Sequence, residues 1–521
     1  MTKAATLRET EQAFPRTAWQ WGETQPDRVA ATTARGDTTY GQLTGRANQL
    51  TNALRALGIG RGDAFMGVLH NGIEHWELLL AATQMGAYYV AANWHLSVDN
   101  LLYLIEDSGT LAVFVDVEFT AQFDSKVAEL PAHRFVVNGT AEGWQPYDDF
   151  GRGHSRDLPT DRTLGSIMAY TSGTTGRPKG VRSEITDLSP EVGIAAYDFL
   201  LDNFHIPRGD GRHLVCSPQY HAAPGGFAFA LLNNGHRLVI HQRFDPESTL
   251  EAIERFRITT SHMVPTHFHR MLQLSESVRA QYDLSSLEMI AHAGAACPPE
   301  IKREMLEWFG PIIWEYLGAS EGMASIMPPH DALQHPGSVG KPFASGSVKI
   351  LDDDGEELPV GDEGLIYFQS DVEYYRDPTK TAAARKGAYL TVGDYGKFDG
   401  EGYLYILDRR IDLIVSGGVN VYPAEVESAL IMHPKVQDVG VIGIPDPEWG
   451  KRVCAVIELV PGVDPTDELR LELAAWAKVN ISTHMRPKQW EFLHEFPRTP
   501  AGKLIRRALR DMFSTDSVAV I

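Results

Sequence analysis

Short apolar segments alternate with amphipathic segments over residues 43–115, and this alternation restricts the fold more than any other feature of the chain. Over residues 43–57, leucine and alanine recur every three or four positions, which predicts one apolar helix face ending at Gly58. The same pattern predicts strands at 64–69, 87–91 and 111–115 and helices at 74–84 and 98–108. Repeated strand–helix units favour a mostly parallel sheet covered by helices.

The chain has 521 residues, enough for several domains, and its pattern changes near residue 408. A stretch rich in Asp and Gly ends there in Asp408 and two arginines, and we predict a domain boundary at this point. Residues 1–408 then form a large α/β domain and residues 409–521 a small α+β domain. In the small domain we predict helices at 424–432, 466–480 and 504–512 and strands at 436–443 and 453–459.

Acidic residues outnumber basic ones, with 68 Asp and Glu against 47 Lys and Arg and a formal charge of −21. We therefore expect no nucleic-acid partner, because nucleic acids and anionic membranes attract basic proteins. The three cysteines, Cys216, Cys297 and Cys454, form no CxxC pair and fit a reducing compartment. The N-terminus has no signal-peptide pattern, and the apolar run at 78–92 is too short to cross a bilayer. These features predict a cytoplasmic protein without stable membrane insertion.

A run rich in glycine and hydroxyl groups, TSGTTGRPKG, occupies residues 171–180 directly after an apolar segment. Backbone N–H groups, hydroxyls and a lysine in such a loop can surround a polyphosphate. The run is not a P-loop, because its lysine is followed by neither Ser nor Thr. A plain polar surface loop is the alternative interpretation. The candidate phosphate-binding residues are Thr171, Ser172, Gly173, Thr174, Thr175, Gly176 and Lys179.

Five motifs, in the same order along the chain, resemble those of the adenylate-forming superfamily, which includes acyl-CoA synthetases, aryl-CoA ligases, luciferases and the adenylation domains of peptide synthetases. After the run at 171–180, the matching segments are 318–322 (GASEG), 392–395 (VGDY), 408–423 and 497–503 (PRTPAGK). The resemblance covers essentially the whole chain. It implies an α/β fold with a large N-terminal adenylate-forming domain, in which mixed sheets are layered with helices, and a small, mobile α+β C-terminal domain.

The resemblance also implies roles for individual residues of these motifs. Glu321 matches the glutamate that holds Mg2+ on the ATP phosphates, and Thr171 is the second candidate metal ligand. Asp394 and Arg409 match residues that hold the ribose or a phosphate of ATP. Lys503 matches the lysine that neutralises charge developing between the carboxylate and the α-phosphate, which makes it the main catalytic candidate.

Adenine is expected to rest against a backbone strip and against the strand that precedes the GASEG motif. Relatives usually carry Tyr at the position of Leu317, whereas Tyr316 lies one residue earlier and would face the other way on a regular strand. Apolar contact is the alternative way to hold the ring. The candidate adenine-binding residues are Gly294, Ala295, Ala296, Tyr316, Leu317 and Gly318.

A rival interpretation comes from the same GASEG segment, because Gly-x-Ser-x-Gly is also the nucleophile elbow of serine hydrolases. An elbow needs a strand, a sharp turn and then a helix. A strand is predicted at 312–316, but the prolines at 328–329 leave little room for a helix after Ser320. The hydrolase is the less favoured class, and in the adenylate-forming interpretation Ser320 contacts ATP.

The residue type at position 221 bears on the acid that is activated. Amino-acid-activating relatives carry there an Asp that holds the substrate ammonium, so with His221 an amino-acid substrate loses its counter-ion. His221 is also one of the catalytic candidates, with Lys503 and Glu321. The small residues that follow favour a hydrophobic acid, either an alkyl chain or a ring system such as a steroid side-chain acid. Metal binding by His262, His267 and His269 is less favoured than packing. The segments expected to contact the acid are 217–227, 263–271 and 292–297.

Taken together, the resemblance implies an AMP-forming acyl-CoA ligase that uses ATP, Mg2+ and CoA to activate a small-molecule carboxylic acid. Gly417 and Gly418 are expected to border the CoA path, with a plain tight turn as the alternative. Relatives often carry Lys or Asp at the hinge position of Ile411, so Asp408 or Asp412 is the alternative hinge. Acyl transfer to a carrier protein or another nucleophile stays open, as does a homodimer.

Overall fold

The computed structural model describes residues 15–171, 178–409, 412–416, 419–498 and 504–513, without the side chains of Thr171 and Arg409. The chain divides into two compact units. The first unit comprises residues within 1–263, 274–291 and 372–381, and the second comprises residues within 264–273, 292–371 and 382–521.

The helices of the described residues are α1 (Ala18–Thr24), α2 (Tyr40–Ala56), α3 (Ile73–Met85), α4 (Val98–Ser108), α5 (Val117–Thr120), α6 (Pro190–Ile194), α7 (Asp198–Asn203), α8 (Ala222–Asn233), α9 (Pro246–Phe256), α10 (Pro265–Leu272), α11 (Glu276–Arg279), α12 (Pro299–Phe309), α13 (Pro329–Ala332), α14 (Pro378–Ala384), α15 (Pro423–Leu430), α16 (Asp467–Asn480) and α17 (Arg506–Phe513). Capping residues set several of their ends. Thr39 and Gln42 form a capping box at the start of α2. Gly86 and Gly109 end α3 and α4 in the left-handed conformation that glycine favours.

The strands are β1 (Val29–Thr33), β2 (Gly36–Thr39), β3 (Ala64–Val68), β4 (Tyr88–Ala91), β5 (Thr110–Asp116), β6 (His133–Val137), β7 (Gln145–Pro146), β8 (Ser166–Thr171), β9 (Lys179–Val181), β10 (Arg212–Val215), β11 (Arg237–Ile240), β12 (Thr260–Met263), β13 (Met289–His292), β14 (Ile313–Ala319), β15 (Gly322–Met327), β16 (Lys341–Pro342), β17 (Val348–Leu351), β18 (Gly364–Gln369), β19 (Arg385–Lys386), β20 (Tyr389–Leu390), β21 (Asp394–Phe398), β22 (Leu404–Arg409), β23 (Ile414–Ser416), β24 (Val419–Val421), β25 (Val436–Asp446), β26 (Gly450–Leu459) and β27 (Gln489–Leu493).

The first unit is built on two mainly parallel sheets. One sheet has the strand order β7-β6-β5-β3-β4-β8-β9, and its neighbouring strands are parallel apart from the β8–β9 hairpin. In the other sheet β12, β10, β11 and β1 are parallel neighbours, and β2 adds antiparallel to β1. The parallel strands expected from the alternating pattern are therefore present.

Both faces of the first of these sheets are buried, as a parallel sheet requires. Successive side chains of a strand point to opposite faces, so Phe65 and Met66 of β3 enter different core clusters. Phe65 shares its cluster with Leu43 of α2, and Met66 shares its cluster with Leu101 of α4. Helices on both sides of the sheet thus supply the apolar cover.

The second unit is dominated by antiparallel pairing. Strands β14, β15 and β16 form one antiparallel group, and β17 to β22 form a second antiparallel sheet. After the β23–β24 hairpin, the long strands β25 and β26 pair antiparallel and β27 adds parallel to β26. Helices α15 and α17 pack on β25. Leu430 and Val441 are among the fully buried residues between these elements.

Candidate functional site

A cavity of about 320 Å3 lies within the second unit and collects the predicted adenine-binding residues. The backbone strip at 294–296 and the strand segment at 316–318 both line it. Gly294 adopts a φ of 89°, a conformation in which a residue with a Cβ would be strained. The strip can therefore turn sharply beside the cavity and expose backbone groups to a flat ring.

Tyr316 and Leu317 both line this cavity, although neighbouring residues of a regular strand face opposite ways. The pairing of β14 with β15 shifts by one position between Leu317 and Gly318, which interrupts the alternation. Gly318 leaves room for the Tyr316 ring, since a Cβ at Gly318 would lie 3.0 Å from that ring. Tyr316 and Leu317 lie before this shift and pair in register with Ile326 and Ser325, so the bulge does not alter the alternation predicted for these two residues.

Ser320 and Glu321 form the two-residue turn of the β14–β15 hairpin, because Ala319 pairs with Gly322. Gly322 has a φ of 147° and continues directly into a strand. A nucleophile elbow would need a helix at this point, so the hydrolase interpretation lacks its geometry. Glu321 is only 6% exposed, and its backbone carbonyl accepts a 2.7 Å hydrogen bond from the Ser370 hydroxyl.

Asp394 and Arg409, the two residues expected to hold ribose or phosphate, are direct partners in the ladder between β21 and β22. Asp394 is 9% exposed and lines the same cavity. Cross-strand partners have Cβ atoms about 5 Å apart, so one small ligand group can lie near both positions. The spacing of the two motifs along the chain did not predict this pairing.

Lys503 and the rest of segment 499–503 lie outside the described residues, but both flanks of that segment are described. Arg498 forms a β-bridge with Leu504, and the Ile505 N–H donates a 2.8 Å hydrogen bond to the Pro497 carbonyl. Arg498 and Leu504 also line the cavity that contains Asp394 and the 294–296 strip. Both flanks of the segment that contains Lys503 therefore lie at the cavity wall.

Several charged residues around these flanks were not identified from the sequence. Arg498 pairs with Asp438 of β25, and Arg506 pairs with Glu427 of α15. Glu427 also accepts a 2.7 Å hydrogen bond from the Val441 N–H. The PRTPAGK motif contained the signal for Arg498, whereas its carboxylate partner comes from a distant strand.

Asp408 and Asp412, the alternative hinge residues, make different contacts. The Asp408 carboxylate accepts a 3.1 Å hydrogen bond from the Ala424 N–H in the first turn of α15. Asp412 pairs at 2.9 Å with Arg510 of α17. Ile411, Gly417 and Gly418 lie outside the described residues.

In the first unit, the described part of the phosphate-binding candidate is a β-hairpin. Thr171 of β8 pairs with Lys179 of β9, and Tyr170 pairs with Gly180. Candidates Ser172, Gly173, Thr174, Thr175 and Gly176 lie outside the described residues. The Lys179 ammonium lies over the Tyr374 ring, 4.9 Å from its centroid.

His221 ends the segment at 217–221 and is the N-cap residue of α8. Asn71 holds the first part of this segment, since its amide N–H donates to the Ser217 carbonyl at 2.9 Å and its amide oxygen accepts from the Gln219 N–H at 2.8 Å. Asn71 was not identified from the sequence. Burial lowers the pKa of His221 to about 4, so the imidazole is neutral at pH 7.

Buried polar atoms cluster at His221. Within the described residues, the Tyr220 hydroxyl and His221 Nε2 are sealed from solvent and have no hydrogen-bond partner. Burial, with a smaller effect from His221, lowers the pKa of His262 to about 3, and the His262 ring lies 5.4 Å from that of Phe227. An unpartnered buried polar atom costs about 1–3 kcal/mol. The Tyr220 hydroxyl and His221 Nε2 therefore suit a ligand that brings its own hydrogen-bond acceptor or donor.

A divalent cation is expected at Glu321, and the donor chemistry there fits magnesium that arrives with a polyphosphate. Mg2+ prefers oxygen ligands and in such sites uses one or two carboxylates, phosphate oxygens and water. Among the residues that the structure describes, no group of three His, Cys, Asp or Glu side chains could hold a metal ion. Glu321 therefore suits a metal shared with a substrate rather than a cage made by protein alone.

Family models match most of the chain. The model described as AMP-binding enzyme matches residues 18–372, and the model described as AMP-binding enzyme C-terminal domain matches residues 425–503. Within the described ranges, none of the helices is both long and apolar enough to span a bilayer.

Characterised relatives cover nearly the whole chain. Indoleacetate–CoA ligase of Aromatoleum aromaticum is 31% identical over 94% of this chain and 96% of its own. Long-chain-fatty-acid–CoA ligase FadD13 of Mycobacterium tuberculosis is 30% identical over 91% of this chain and 93% of its own. Among solved structures, the anthranilate CoA ligase AuaEII in complex with anthranoyl-AMP has a TM-score of 0.84 at 26% identity, covering 96% of this chain and 98% of that chain.

Proposed function

Because the chain belongs to the AMP-binding enzymes of the adenylate-forming superfamily, we propose that it joins a carboxylic acid to CoA at the expense of ATP. It is an AMP-forming acid–thiol ligase, as are the relatives named as CoA ligases. Its fold is the α/β fold of this superfamily, with a large N-terminal and a small C-terminal domain. We place the boundary between the two domains at residues 408 and 409.

One observation carries this proposal. The cavity of the second unit brings the 294–296 strip, the 316–318 segment and Asp394 together with both flanks of the segment that contains Lys503. A flat base, a ribose hydroxyl and an α-phosphate would each have a matching group there: backbone edges and Leu317 for adenine, Asp394 for ribose, and Lys503 for developing negative charge.

In the first half-reaction, a carboxylate oxygen attacks the α-phosphorus of ATP, the bond to the bridging oxygen breaks, and acyl-AMP and pyrophosphate form. Lys503 neutralises the charge on the α-phosphoryl oxygens, and Lys179 holds the polyphosphate that leaves. Ser320 and Glu321, in the β14–β15 turn, are proposed contacts of the second unit with ATP. Glu321 and Thr171 would hold Mg2+, which supplies neutralisation of phosphate charge when bound.

In the second half-reaction, the CoA thiol attacks the acyl carbonyl of acyl-AMP. The C–O bond to AMP breaks, AMP leaves with the electron pair, and the thiol proton is lost to solvent. Gly417 and Gly418 follow β23 directly, and two adjacent glycines without side chains permit a narrow pantetheine arm to pass close to the backbone.

The acid itself is hydrophobic in this proposal, an alkyl chain or a ring system. His221 is neutral and offers no counter-charge to a substrate ammonium. The following helix α8 begins with Ala222 and Ala223, and a Cβ at Gly226 would meet no atom within 4 Å. Open space beside a helix face that lacks large side chains suits a bulky apolar group.

A screen for AMP release over alkyl, aryl and steroid side-chain acids, each with and without CoA, tests the proposal. We expect AMP release to depend on both the acid and CoA for at least one hydrophobic acid, with the matching acyl-CoA as product. Activity with the acid that needs no CoA would instead assign the acyl group to a carrier protein or another nucleophile. ATP-independent hydrolysis of esters, without AMP release from any acid, would contradict the proposal.

A further inference from the structure

The strand that carries Lys179 is held on both of its edges. On one edge, β9 pairs with β8 through Thr171 and Lys179. On the other edge, Val181 forms an antiparallel bridge with Tyr374, and the Tyr375 N–H donates a 2.9 Å hydrogen bond to the Gly180 carbonyl. Residues 374–375 therefore act as an additional strand beside the phosphate-binding hairpin, within the first unit.

Each of the two tyrosines of this added strand places its ring against one cation. Tyr374 lies against Lys179 of β9, and Tyr375 lies against Arg182, which follows β9. The Tyr374 ring lies 4.9 Å from the Lys179 ammonium, and the Tyr375 ring lies 3.8 Å from the Arg182 guanidinium. Tyr88 covers Arg182 as well, at 4.4 Å. All three distances are within the range at which a ring face attracts a cation.

Tyr374 is itself firmly placed. Its ring is buried, with 7% exposed, and its N–H donates a 3.0 Å hydrogen bond to the Thr381 hydroxyl oxygen. The Thr381 hydroxyl donates in turn to the Asp377 carbonyl at 3.0 Å, which closes the turn between them. The ring is thus a rigid surface under a flexible side chain.

Gly180 allows this arrangement. A Cβ at Gly180 would lie 2.6 Å from the Met168 methyl group and 3.3 Å from the Tyr375 Cβ. A Cβ at this position would require the Met168 methyl group to move and Tyr375 to shift by a few tenths of an ångström. The glycine that follows Lys179 therefore has a packing role in bringing residues 374–375 against the hairpin.

We propose that Tyr374 is a positioning residue that holds the Lys179 ammonium, through its ring face, in the orientation that contacts the ATP polyphosphate. The inference rests on the proposed function of Lys179. A lysine side chain has a flexible stem of four carbons, and it loses much rotamer freedom when its ammonium binds a phosphate. A ring that restricts the ammonium beforehand lowers that loss, and its effect belongs to ATP binding rather than to the chemical step.

Tyr374→Leu and Tyr374→Phe separate the ring from the hydroxyl. We expect Tyr374→Leu to raise the KM for ATP about fivefold in acid-dependent pyrophosphate exchange, with kcat within about twofold of wild type. Tyr374→Phe keeps the ring face and should restore the wild-type KM. If Tyr374→Leu does not fold, as judged by circular dichroism and its melting temperature, Tyr374→Met replaces it, because the unbranched methionine side chain adapts better to the space left by the ring.

Two controls distinguish positioning from a structural effect. Tyr375→Leu removes a ring from the same added strand without touching Lys179, and its KM for ATP should stay within about twofold of wild type. In a Lys179→Gln background, Tyr374→Leu should cause no further rise in KM, because the two changes remove one interaction. An additive rise in that background, or an equal rise in Tyr375→Leu, would overturn the inference. Absence of exchange in the wild type with every acid would instead contradict the proposed function.

Discussion

Ser320 lies in the turn between β14 and β15. Its hydroxyl either contacts an ATP phosphate or is the nucleophile of a serine hydrolase, and the variant Ser320→Ala distinguishes these two roles. As a phosphate contact it contributes about 0.5–1.5 kcal/mol, so we expect Ser320→Ala to raise the KM for ATP roughly two- to tenfold. Pyrophosphate exchange measures this directly. A serine hydrolase would instead lose an ATP-independent esterase activity completely in the same variant.

Glu77 of α3 makes the stability of the first unit depend on pH. Burial and, to a smaller extent, the neighbouring Glu74 raise its pKa from 4.5 to about 7, against the opposing effects of the Tyr147 hydroxyl at 2.5 Å, Arg46 and Arg35. The folded state therefore binds the proton more tightly than the unfolded state. The contribution of Glu77 to the free energy of unfolding is therefore fully present below pH 4.5 and is lost as the pH rises through 7.

Glu77→Gln removes this titration while keeping an acceptor for Tyr147. We expect the unfolding free energy of the wild type, relative to that of Glu77→Gln, to fall by about 2–3 kcal/mol between pH 5 and pH 8. Urea denaturation at several pH values measures the difference. A constant difference across this range would show that Glu77 titrates normally.

Motifs predicted several residues that line the cavity of the second unit, but not the partners that hold them. Leu317 and Asp394 were identified because they lie in or beside short, ordered motifs. Arg498 and Asp438, or Lys179 and Tyr374, are far apart in sequence and meet only through tertiary packing. Local patterns carry no information about such pairs, because strand pairing decides them.

At the scale of elements, the tail helix α17 is held on the small α+β elements by buried charge as well as by Leu509. Arg506 is paired with Glu427, and both side chains are 17% exposed. Breaking one partner of a buried pair costs about 3 kcal/mol or more. We expect Arg506→Met to lower the unfolding free energy by this amount in urea denaturation.

Arg507 provides the matched control in the same helix. It pairs with Asp511 at 3.8 Å, and the two side chains are 64% and 72% exposed. Exposed pairs contribute about 0–1 kcal/mol, so Arg507→Met should change the unfolding free energy little. Arg and Met have similar helix propensities, so equal destabilisation by the two variants would show that the buried pair is not responsible.

Helix and strand positions were largely predictable, because each follows from local periodicity and capping. The predicted helices at 98–108 and 466–480 correspond to α4 (Val98–Ser108) and α16 (Asp467–Asn480). The predicted strand at 436–443 is longer in the structure, since pairing with β26 continues to Asp446. Strand order and the bulge at Leu317 were not predictable, because they depend on which distant strands pair.

At the scale of the whole molecule, the proposed activity is defined by the class of acid and by the order of the two half-reactions, adenylation and then thioester formation. A free amino acid would bury its ammonium near a neutral His221 without a counter-ion, at a cost of several kcal/mol. We expect hydrophobic monocarboxylates to drive pyrophosphate exchange about a hundredfold better than the matching amino acids. The opposite preference would exclude the proposed substrate class.

The central claim is that Lys503 serves adenylation, and measuring the two half-reactions of Lys503→Ala tests it most directly. With the best acid from the screen, acid-dependent pyrophosphate exchange should be lost, while conversion of supplied acyl-AMP to acyl-CoA should proceed near the wild-type rate. Equal loss of both half-reactions, or exchange that persists at the wild-type rate, would contradict the account.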